Sequence, residues 1–197
     1  MRVVVGITGA SGAAVAVEVL RLLQPLDHEV HAVISSWGRV NLQHECELTP
    51  RDLKPLVSQL HSNKDLASPL ASGSFRVDAT LIVPCSARTL GTVASGTGDG
   101  LISRAADVAL KERRRLVLGL RESPLSSIHL RNALTISEAG GMIVPLSPAF
   151  YTQPSGISEM FTTMAARLLD HCGIDVPELP RWGETVDLDT PRPTARD

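Results

Sequence analysis

The stretch GITGASG, residues 6–12, places three glycines directly behind the apolar run VVV near the N-terminus. Glycines between a strand and a helix let a phosphate approach the backbone, where the free N–H groups of the helix N-terminus bind it. Three ligands fit such a loop: a nicotinamide dinucleotide, a flavin mononucleotide and a phosphorylated substrate. Each of them implies a different class of protein.

The end of the next predicted strand narrows this choice. A dinucleotide site needs an Asp or Glu at that position to bind the ribose hydroxyls. The sequence has Ser35 and Ser36 there. Two hydroxyl groups favour a phosphate or a flavin over an adenosine ribose.

Two further loops offer the same anion-binding chemistry. In PCSARTLGTVASGTGDGL, residues 84–101, Ser86 and Thr89 fall where a helix begins. Hydroxyls and free N–H groups at a helix N-terminus bind anions. In PLASGS, Ser72 and Gly73 lie in a loop of small residues. The alternatives are an ordinary helix cap and a plain loop.

Cationic side chains accompany these loops. Arg104 and Lys111 stand seven residues apart and project from one face of their predicted helix. The residues between them are mostly apolar, so a cation pair on this face is unfavourable unless it meets an anion. Arg121 and Glu122 directly follow a buried strand, where doubly wound proteins place functional groups. These residues fit a nucleotide phosphate and a second phosphorylated ligand.

The elements that must position these residues alternate along the chain. Apolar runs predict strands at 2–8, 29–35, 79–85, 114–120 and 141–147. Helical periodicity predicts helices at 13–24, 38–47, 50–60, 87–95, 103–114, 127–140 and 157–173. The helix at 50–60 is expected to start with Thr49 as its cap and Pro50 in its first turn. Continuous Val/Ile/Leu strands separated by helices indicate a doubly wound, Rossmann-like α/β fold, with a parallel sheet covered on both faces.

Composition predicts one soluble domain. The 197 residues carry a net charge of −2 and are 43% hydrophobic, so nothing indicates nucleic-acid or membrane binding. The expected body spans residues 1–174, followed by an extended arm at 175–197. The N-terminus is predicted to be a strand and not a signal peptide. Cys46, Cys85 and Cys172 are isolated in sequence, which argues against a metal site or disulfide framework and favours the cytoplasm.

Six stretches together resemble the UbiX-type flavin prenyltransferases, also described as phenylacrylic acid decarboxylase-like flavoproteins. They are GITGASGA, PCSARTLGTVASG, LISRAADVALKERRRLVL, RESPLSSIHLRN, PAFYTQP and LPRWGE. The likeness runs from residue 3 to about residue 184, and RAADVALKERR and PRWGE are its most specific elements. It implies that residues 1–174 form an FMN-binding domain.

The resemblance also implies a reaction. Such enzymes join the dimethylallyl group of dimethylallyl monophosphate to N5 and C6 of reduced FMN, and a UbiD-type decarboxylase uses the prenylated FMN. A homododecamer with active sites at subunit interfaces is implied as well. The sequence has no D-D-x-x-D cluster, so the Mg²⁺ clamp of diphosphate-using prenyl enzymes is not expected, and no other metal is.

Residue by residue, the resemblance implies three sets of site residues. The FMN-binding set is Gly9, Ala10, Ser11, Ser35, Ser86, Ala87, Arg88, Thr89 and Arg121. The substrate-binding set is Tyr151 and Arg167, with Arg104 and Lys111 nearby, the loop residues Ser72 and Gly73, and Trp182. The catalytic set is Ser11, Glu45, Lys111 and Glu122, in which Ser11 and Glu122 pass a proton between flavin and departing phosphate. The alternative for Glu122 is an ion pair with Arg121 or another arginine.

One position departs from the family pattern. The family often has an aromatic residue shortly before the small-residue loop, where it lines the prenyl pocket, and this sequence has Leu66. A flavin and an allyl cation both favour π faces, and only 3% of the residues are aromatic. Tyr151 and Trp182 are therefore expected to supply those faces.

Three other functions share part of this pattern. An FMN-dependent decarboxylase of the phosphopantothenoylcysteine type shares the fold, but it uses a P-x-M-N loop where this sequence has PCSARTL. A short-chain nicotinamide oxidoreductase needs Y-x-x-x-K, and Tyr151 is followed by Ser155. A module that only carries prenylated flavin for a partner would use the same residues as the enzyme, so it stays open.

Overall fold

The computed structural model describes residues 1–177 and 181–183. In that part of the chain, six strands form one sheet in the order β3-β2-β1-β4-β5-β6, and every neighbouring pair is parallel. The strands are β1 (Arg2–Ile7), β2 (Glu29–Ile34), β3 (Gln59–Ser62), β4 (Ala79–Cys85), β5 (Arg115–Leu120) and β6 (Met142–Pro145). The predicted doubly wound α/β fold is confirmed.

Helices cover both faces of this sheet. They are α1 (Ala13–Leu23), α2 (Ser36–Cys46), α3 (Ala87–Ser95), α4 (Leu101–Lys111), α5 (Ser127–Glu138) and α6 (Ile157–His171). Successive side chains of a strand point to opposite faces. Val3 and Val5 of β1 therefore pack with α1, α2 and α6, while Val4 packs with α3, α4 and α5. Ile174 and Val176 are buried in the first of these cores, and residues 178–180 and 184–197 of the expected arm lie outside the described residues.

The prediction of a helix over residues 50–60 is wrong. Its place is taken by turns, a short 3₁₀ helix (Lys54–Leu56) and the edge strand β3. Pro55 lies in the middle of the predicted helix, where it lacks the N–H that the helical ladder needs. Thr49 caps no helix, because its N–H and hydroxyl both donate to the carboxylate of Asp52, at 2.7 and 2.6 Å. The strand was missed because its sequence, QLHS, is short and has three polar residues out of four.

The start of α4 depends on a residue from another segment. Gly100, at the N-cap of α4, has no side chain with which to bind the free N–H groups of the first turn. Asn63, directly after β3, accepts from Leu101 N through its backbone oxygen at 2.8 Å and from Ile102 N through Oδ1 at 3.0 Å. The end of β3 and the start of α4 are therefore joined.

Four polar side chains, of which His31, His61 and Ser68 are buried, are hydrogen-bonded in a row from β2 to the loop after β3. Nε2 of His31 lies 2.9 Å from Oε1 of Glu29, and Nδ1 of His31 lies 2.9 Å from Nε2 of His61. The row ends at Ser68, whose Oγ lies 3.0 Å from Nδ1 of His61. Burial lowers the pKa of His61 below its ordinary 6.5, and the nearby His31 acts in the same direction.

This shift predicts a loss of stability as the pH falls. Because the pKa of His61 is lower in the folded than in the unfolded chain, the unfolded state binds more protons below about pH 6.5. We expect the urea midpoint to fall between pH 7.5 and pH 5.5, and to fall less in His61→Gln. Burial also lowers the pKa values of His28 and His171, so these residues contribute to the pH dependence of both proteins. The contribution of His61 is the difference between wild type and variant in the slope of the urea midpoint against pH. Equal slopes would contradict the prediction.

Candidate active site

A cleft of about 780 Å³ opens at the carboxyl ends of the strands. It lies where β1 has β2 on one side and β4 on the other, which is the switch point at which doubly wound proteins bind ligands. The lining residues come from five loops and helix starts, and they are Thr8, Gly9, Ile34, Ser35, Ser36, Trp37, Arg39, Ser62, Asn63, Lys64, Ser86, Arg88, Thr89, Thr92, Asp99, Gly100, Ile102 and Ser103.

Thr8 joins the two strands at the switch point. Its side chain is buried, its Oγ1 donates to the backbone oxygen of Pro84 at 2.5 Å, and the same Oγ1 accepts from Ser86 N at 2.9 Å. Thr8 is not among the residues predicted from the sequence. The available signal was a hydroxyl residue placed directly between an apolar strand and a glycine loop.

Two helices point their N-termini at the cleft, and each is capped by a predicted FMN-binding serine. Ser35 Oγ accepts from Gly38 N at 3.0 Å at the start of α2. Ser86 Oγ accepts from Thr89 N at 3.2 Å and lies 3.0 Å from the Thr89 hydroxyl at the start of α3. Each cap satisfies one N–H group, and the others of the first turn have no partner within the helix. Both helix starts therefore remain donors for an anion.

Glycine is required on two sides of the cleft by close backbone packing. A methyl group on Gly9 would collide with Cβ of Trp37, and one on Gly38 would lie 2.5 Å from the backbone oxygen of Ile7. The β1–α1 loop and the start of α2 are thus packed together, and the exposed backbone of Gly9 is open to a ligand. Trp37 lines this cleft with 64% of its surface exposed, although the sequence analysis did not assign it.

Glu45, predicted as catalytic, is a hydrogen-bond acceptor at the start of α1. Its Oε2 accepts from Gly12 N and Ala13 N, both at 2.8 Å. Gly12 is the N-cap of α1, has φ 106° and offers no side-chain cap of its own. Glu45 therefore caps α1 from α2, directly beside the exposed Ser11.

Arg121 and Glu122 follow β5 at the same edge of the sheet. Arg121 N donates to the backbone oxygen of Cys85 at 3.1 Å, and Oε1 of Glu122 accepts from Ser123 N at 3.1 Å. Within residues 1–177 and 181–183, Glu122 forms no ion pair with Arg121. Burial raises the pKa of the Cys85 thiol to about 12, so Cys85 is protonated at neutral pH and supplies no thiolate nucleophile.

Tyr151, Arg167 and Trp182 form a second group, which we call the α6 group. The rings of Tyr151 and Trp182 are perpendicular, with centroids 5.1 Å apart. Arg167 Nη1 and Arg181 Nη2 both contact the carboxylate of Asp170, at 2.6 and 2.8 Å. The Arg181 hydrogen bond is the main cause that lowers the pKa of Asp170. Asp170, which the sequence analysis did not assign, therefore holds Arg167 and the segment that carries Trp182.

Ser72, Gly73, Arg104 and Lys111 belong to a third group, which we call the α4 group. Arg104 Nε donates to the backbone oxygen of Ala71 at 3.1 Å, and a methyl on Gly73 would lie 2.8 Å from Nζ of Lys111. The anions that balance the two cations come from the same helix and its end: Asp107 pairs with Arg104 and Glu112 with Lys111.

Lys111 of the α4 group does not reach the cleft within one chain. The start of α4 is at the carboxyl edge of the sheet, because Gly100 lines the cleft, whereas β5 begins at the opposite edge. Lys111, four residues before β5, therefore lies toward the amino edge. The six residues of β5 span about 20 Å, which is beyond the reach of a lysine side chain. Lys111 and Arg121 of one chain are therefore too far apart to contact the same small ligand.

The described residues contain neither a cluster of metal ligands nor a membrane-spanning helix. No three His, Cys, Asp or Glu side chains among them form a group that could hold a metal ion. None of their helices is both long and apolar enough to cross a membrane.

Comparison with known proteins gives consistent matches over nearly the whole chain. The flavoprotein family model matches residues 1–166. The flavin prenyltransferase UbiX of Deinococcus radiodurans is 45% identical over 183 residues, which is 93% of this chain and 94% of that protein. The mitochondrial flavin prenyltransferase PAD1 of Saccharomyces cerevisiae is 42% identical over 181 residues, covering 92% of this chain and 75% of that protein.

Solved structures give the same result. AnUbiX (PadA1), crystallised with FMN and dimethylallyl pyrophosphate, superimposes with a TM-score of 0.90 at 45% identity, over 92% of this chain and 96% of that one. A dodecameric FMN-dependent UbiX-like decarboxylase from Escherichia coli has a TM-score of 0.90 at 42% identity, over 92% and 99%. A PPC decarboxylase has a TM-score of 0.59 at 24% identity, over 75% of this chain and 82% of that one, and shows a shared fold alone.

Proposed function

Because this chain belongs to the flavoprotein family and, within it, to the UbiX-type flavin prenyltransferases, we propose that it joins the dimethylallyl group of dimethylallyl monophosphate to N5 and C6 of reduced FMN. Family membership makes the protein a flavin prenyltransferase, an enzyme that transfers an alkyl group. The proposal concerns the flavin atoms to which the dimethylallyl group is joined and the choice of the monophosphate as its donor.

The observation that carries the proposal is the cleft at the switch point. Ser35 and Ser86 start two helices there, and the open backbone of Gly9 lies between them. Free N–H groups and hydroxyls bind a phosphate ester and a polyol chain, so the residues present fit FMN. FMN would be held by Gly9, Ala10, Ser11, Ser35, Ser86, Ala87, Arg88, Thr89 and Arg121. Reduced FMN supplies the nucleophilic N5 and C6 when it is bound.

The cations act on the second substrate. Breaking an allylic C–O bond leaves negative charge on the departing phosphate, and fixed cations stabilise that charge. A charge pair at 4 Å contributes about 4 kcal/mol at an effective dielectric constant of 20, and less where water reaches it. In this proposal Arg104, Lys111, Tyr151 and Arg167 hold the phosphate. Ser72, Gly73 and Trp182 shape its surroundings.

The position of Lys111 supports an active site shared between subunits. Lys111 lies toward the amino end of β5, whose six residues span about 20 Å, and Arg121 and Glu122 follow its carboxyl end. A second copy of the chain is therefore needed to bring them together. The E. coli relative is dodecameric, and we propose the same homododecamer for this chain. One copy then lends its α4 group to the cleft of a neighbour.

Proton transfer is assigned to the residues beside the cleft. Glu122 and Ser11 would pass a proton between the flavin and the departing phosphate, as positioned acid–base groups do. Glu45 fixes the loop that carries Ser11 through its bonds to Gly12 and Ala13. In this proposal Glu45 acts mainly by holding Ser11 in place.

The proposal extends to the use of the product and to the cellular compartment of the enzyme. Prenylated FMN would pass to a UbiD-type decarboxylase. The free thiols of Cys46, Cys85 and Cys172 suit a reducing compartment, and we assign the enzyme to the cytoplasm.

One experiment tests the reaction. The protein is mixed anaerobically with reduced FMN and dimethylallyl monophosphate, and the flavin is weighed by mass spectrometry. A gain of one C5 prenyl unit is expected, with and without a metal chelator. Parallel reactions with the diphosphate measure the substrate preference. A flavin that stays unchanged while synthetic prenylated FMN still binds would identify a carrier module and reject the enzyme.

A further inference from the structure

Four charged side chains line the cleft. Arg39, Lys64 and Arg88 are cationic, and Asp99 is the one anion among the lining residues. In the part of the chain that the structure describes, none of the three cations forms an ion pair with a carboxylate. The cleft therefore has an excess of two positive charges.

Each cation comes from a different element. Arg39 lies in the first turns of α2, Lys64 follows β3, and Arg88 lies in the first turn of α3. Arg39 and Lys64 are exposed to solvent and separated in sequence. Their convergence on one cleft is a product of the fold, and the sequence analysis singled out neither of them.

The hydroxyl and N–H donors of the cleft carry no formal charge. Ser35, Ser86 and Thr89 can position a phosphate or a ribityl chain, but they cannot neutralise a dianion. The phosphate of FMN is a monoester, like that of a phosphorylated side chain. Such a group carries a charge of roughly −1.5 to −2 at neutral pH. The excess charge of the cleft matches that of the flavin's phosphate.

We propose that Arg39 and Lys64 are specificity-determining residues that select FMN over the unphosphorylated riboflavin. This inference rests on the proposed function, because it takes the cleft to be the flavin site. Arg39 and Lys64 supply the charge and Arg88 adds to it from the start of α3. The negative charge of Asp99 repels the phosphate and weakens the binding of FMN.

Titrations of flavin fluorescence with oxidised FMN and with riboflavin test the proposal. An exposed charge contact contributes about a factor of two to five in affinity. We expect Arg39→Gln and Lys64→Gln each to weaken FMN binding by about that factor, and the double variant by about tenfold, with riboflavin affinity unchanged. Asp99→Asn is expected to tighten FMN binding about twofold. Added KCl should weaken FMN binding less in the double variant than in the wild type.

Matched variants separate charge from shape. Arg39→Lys and Lys64→Arg keep the charge and should keep the affinity for FMN. Lys54→Gln removes an exposed cation from the 3₁₀ helix that precedes β3, outside the cleft lining, and should change neither titration.

The possible outcomes are distinct. Equal weakening of both flavins would mean that the side chains only shape the cleft, and it would overturn the proposal. Unchanged FMN affinity with a raised KM for dimethylallyl monophosphate would assign the cations to the other phosphate, which also overturns it. A wild-type protein that prefers FMN but never prenylates it would refute the proposed function and leave this inference intact.

Discussion

Lys111→Ala is expected to lower the rate of prenyl transfer by about 10²- to 10³-fold, the effect of removing one fixed group that stabilises charge in a transition state. FMN affinity should stay unchanged, because in the proposed site Lys111 contacts the phosphate of the second substrate and is not among the residues that hold FMN. Single-turnover measurements with saturating reduced FMN and varied dimethylallyl monophosphate separate the chemical rate from substrate affinity. Removal of the Lys111 cation should lower the chemical rate and weaken the affinity for dimethylallyl monophosphate.

Lys54→Ala is the control for this prediction. It removes another of the three lysines from a surface outside the proposed site, and its rate should match that of the wild type. Unaltered rate and substrate affinity in Lys111→Ala would dismiss the role of Lys111 as a phosphate ligand. A loss of oligomeric state in Lys111→Ala would show instead that Lys111 is an interface residue, so the assembly is measured on the same samples.

Glu122→Gln is expected to lower the rate by about 10²- to 10⁴-fold, the range that positioned proton transfer contributes. Glutamine keeps the size of the side chain and can still accept from Ser123 N, so the fold and FMN binding should be preserved. The rate of C5 addition to the flavin, followed by mass spectrometry, is the measurement. Glu138→Gln, at the exposed end of α5, is the matched control. Turnover that matches the wild type in Glu122→Gln would rule out the proton relay.

Mixed oligomers test whether Lys111 and Glu122 of one site come from different chains. If they do, chains that carry Lys111→Ala and chains that carry Glu122→Gln complement each other when they are co-expressed. Random assembly then leaves both residues intact in roughly a quarter of the sites. Mixtures of the separately assembled variants should stay inactive. Inactive mixed oligomers would mean that both residues act within one chain.

The sequence predicted the sheet and the cleft because their signals are local. The apolar runs of β1, β4 and β5 and the serines that start α2 and α3 occur where the expected elements meet. The short edge strand β3 lacks such a signal, because three of its four residues are polar and it is held in the sheet by pairing with the distant segment β2. The helix predicted over 50–60 is wrong because Pro55 interrupts the apolar periodicity that suggested it.

The remaining features of the site depend on contacts between distant segments. Asn63 caps α4 from the end of β3, and Glu45 caps α1 from within α2. Asp170 joins α6 to the segment that carries Trp182. No local pattern marks these three residues. The convergence of Arg39 and Lys64 likewise appears only once β2 and β3 are adjacent.

The separation of Lys111 from the cleft of its own chain affects how the enzyme should be assayed. A single chain holds the flavin loops at one edge of its sheet and Lys111 toward the other, about 20 Å away. If the active site is shared between subunits as proposed, a dissociated chain is expected to lose turnover without unfolding. Specific activity is then expected to fall when the protein is diluted below the concentration at which it assembles.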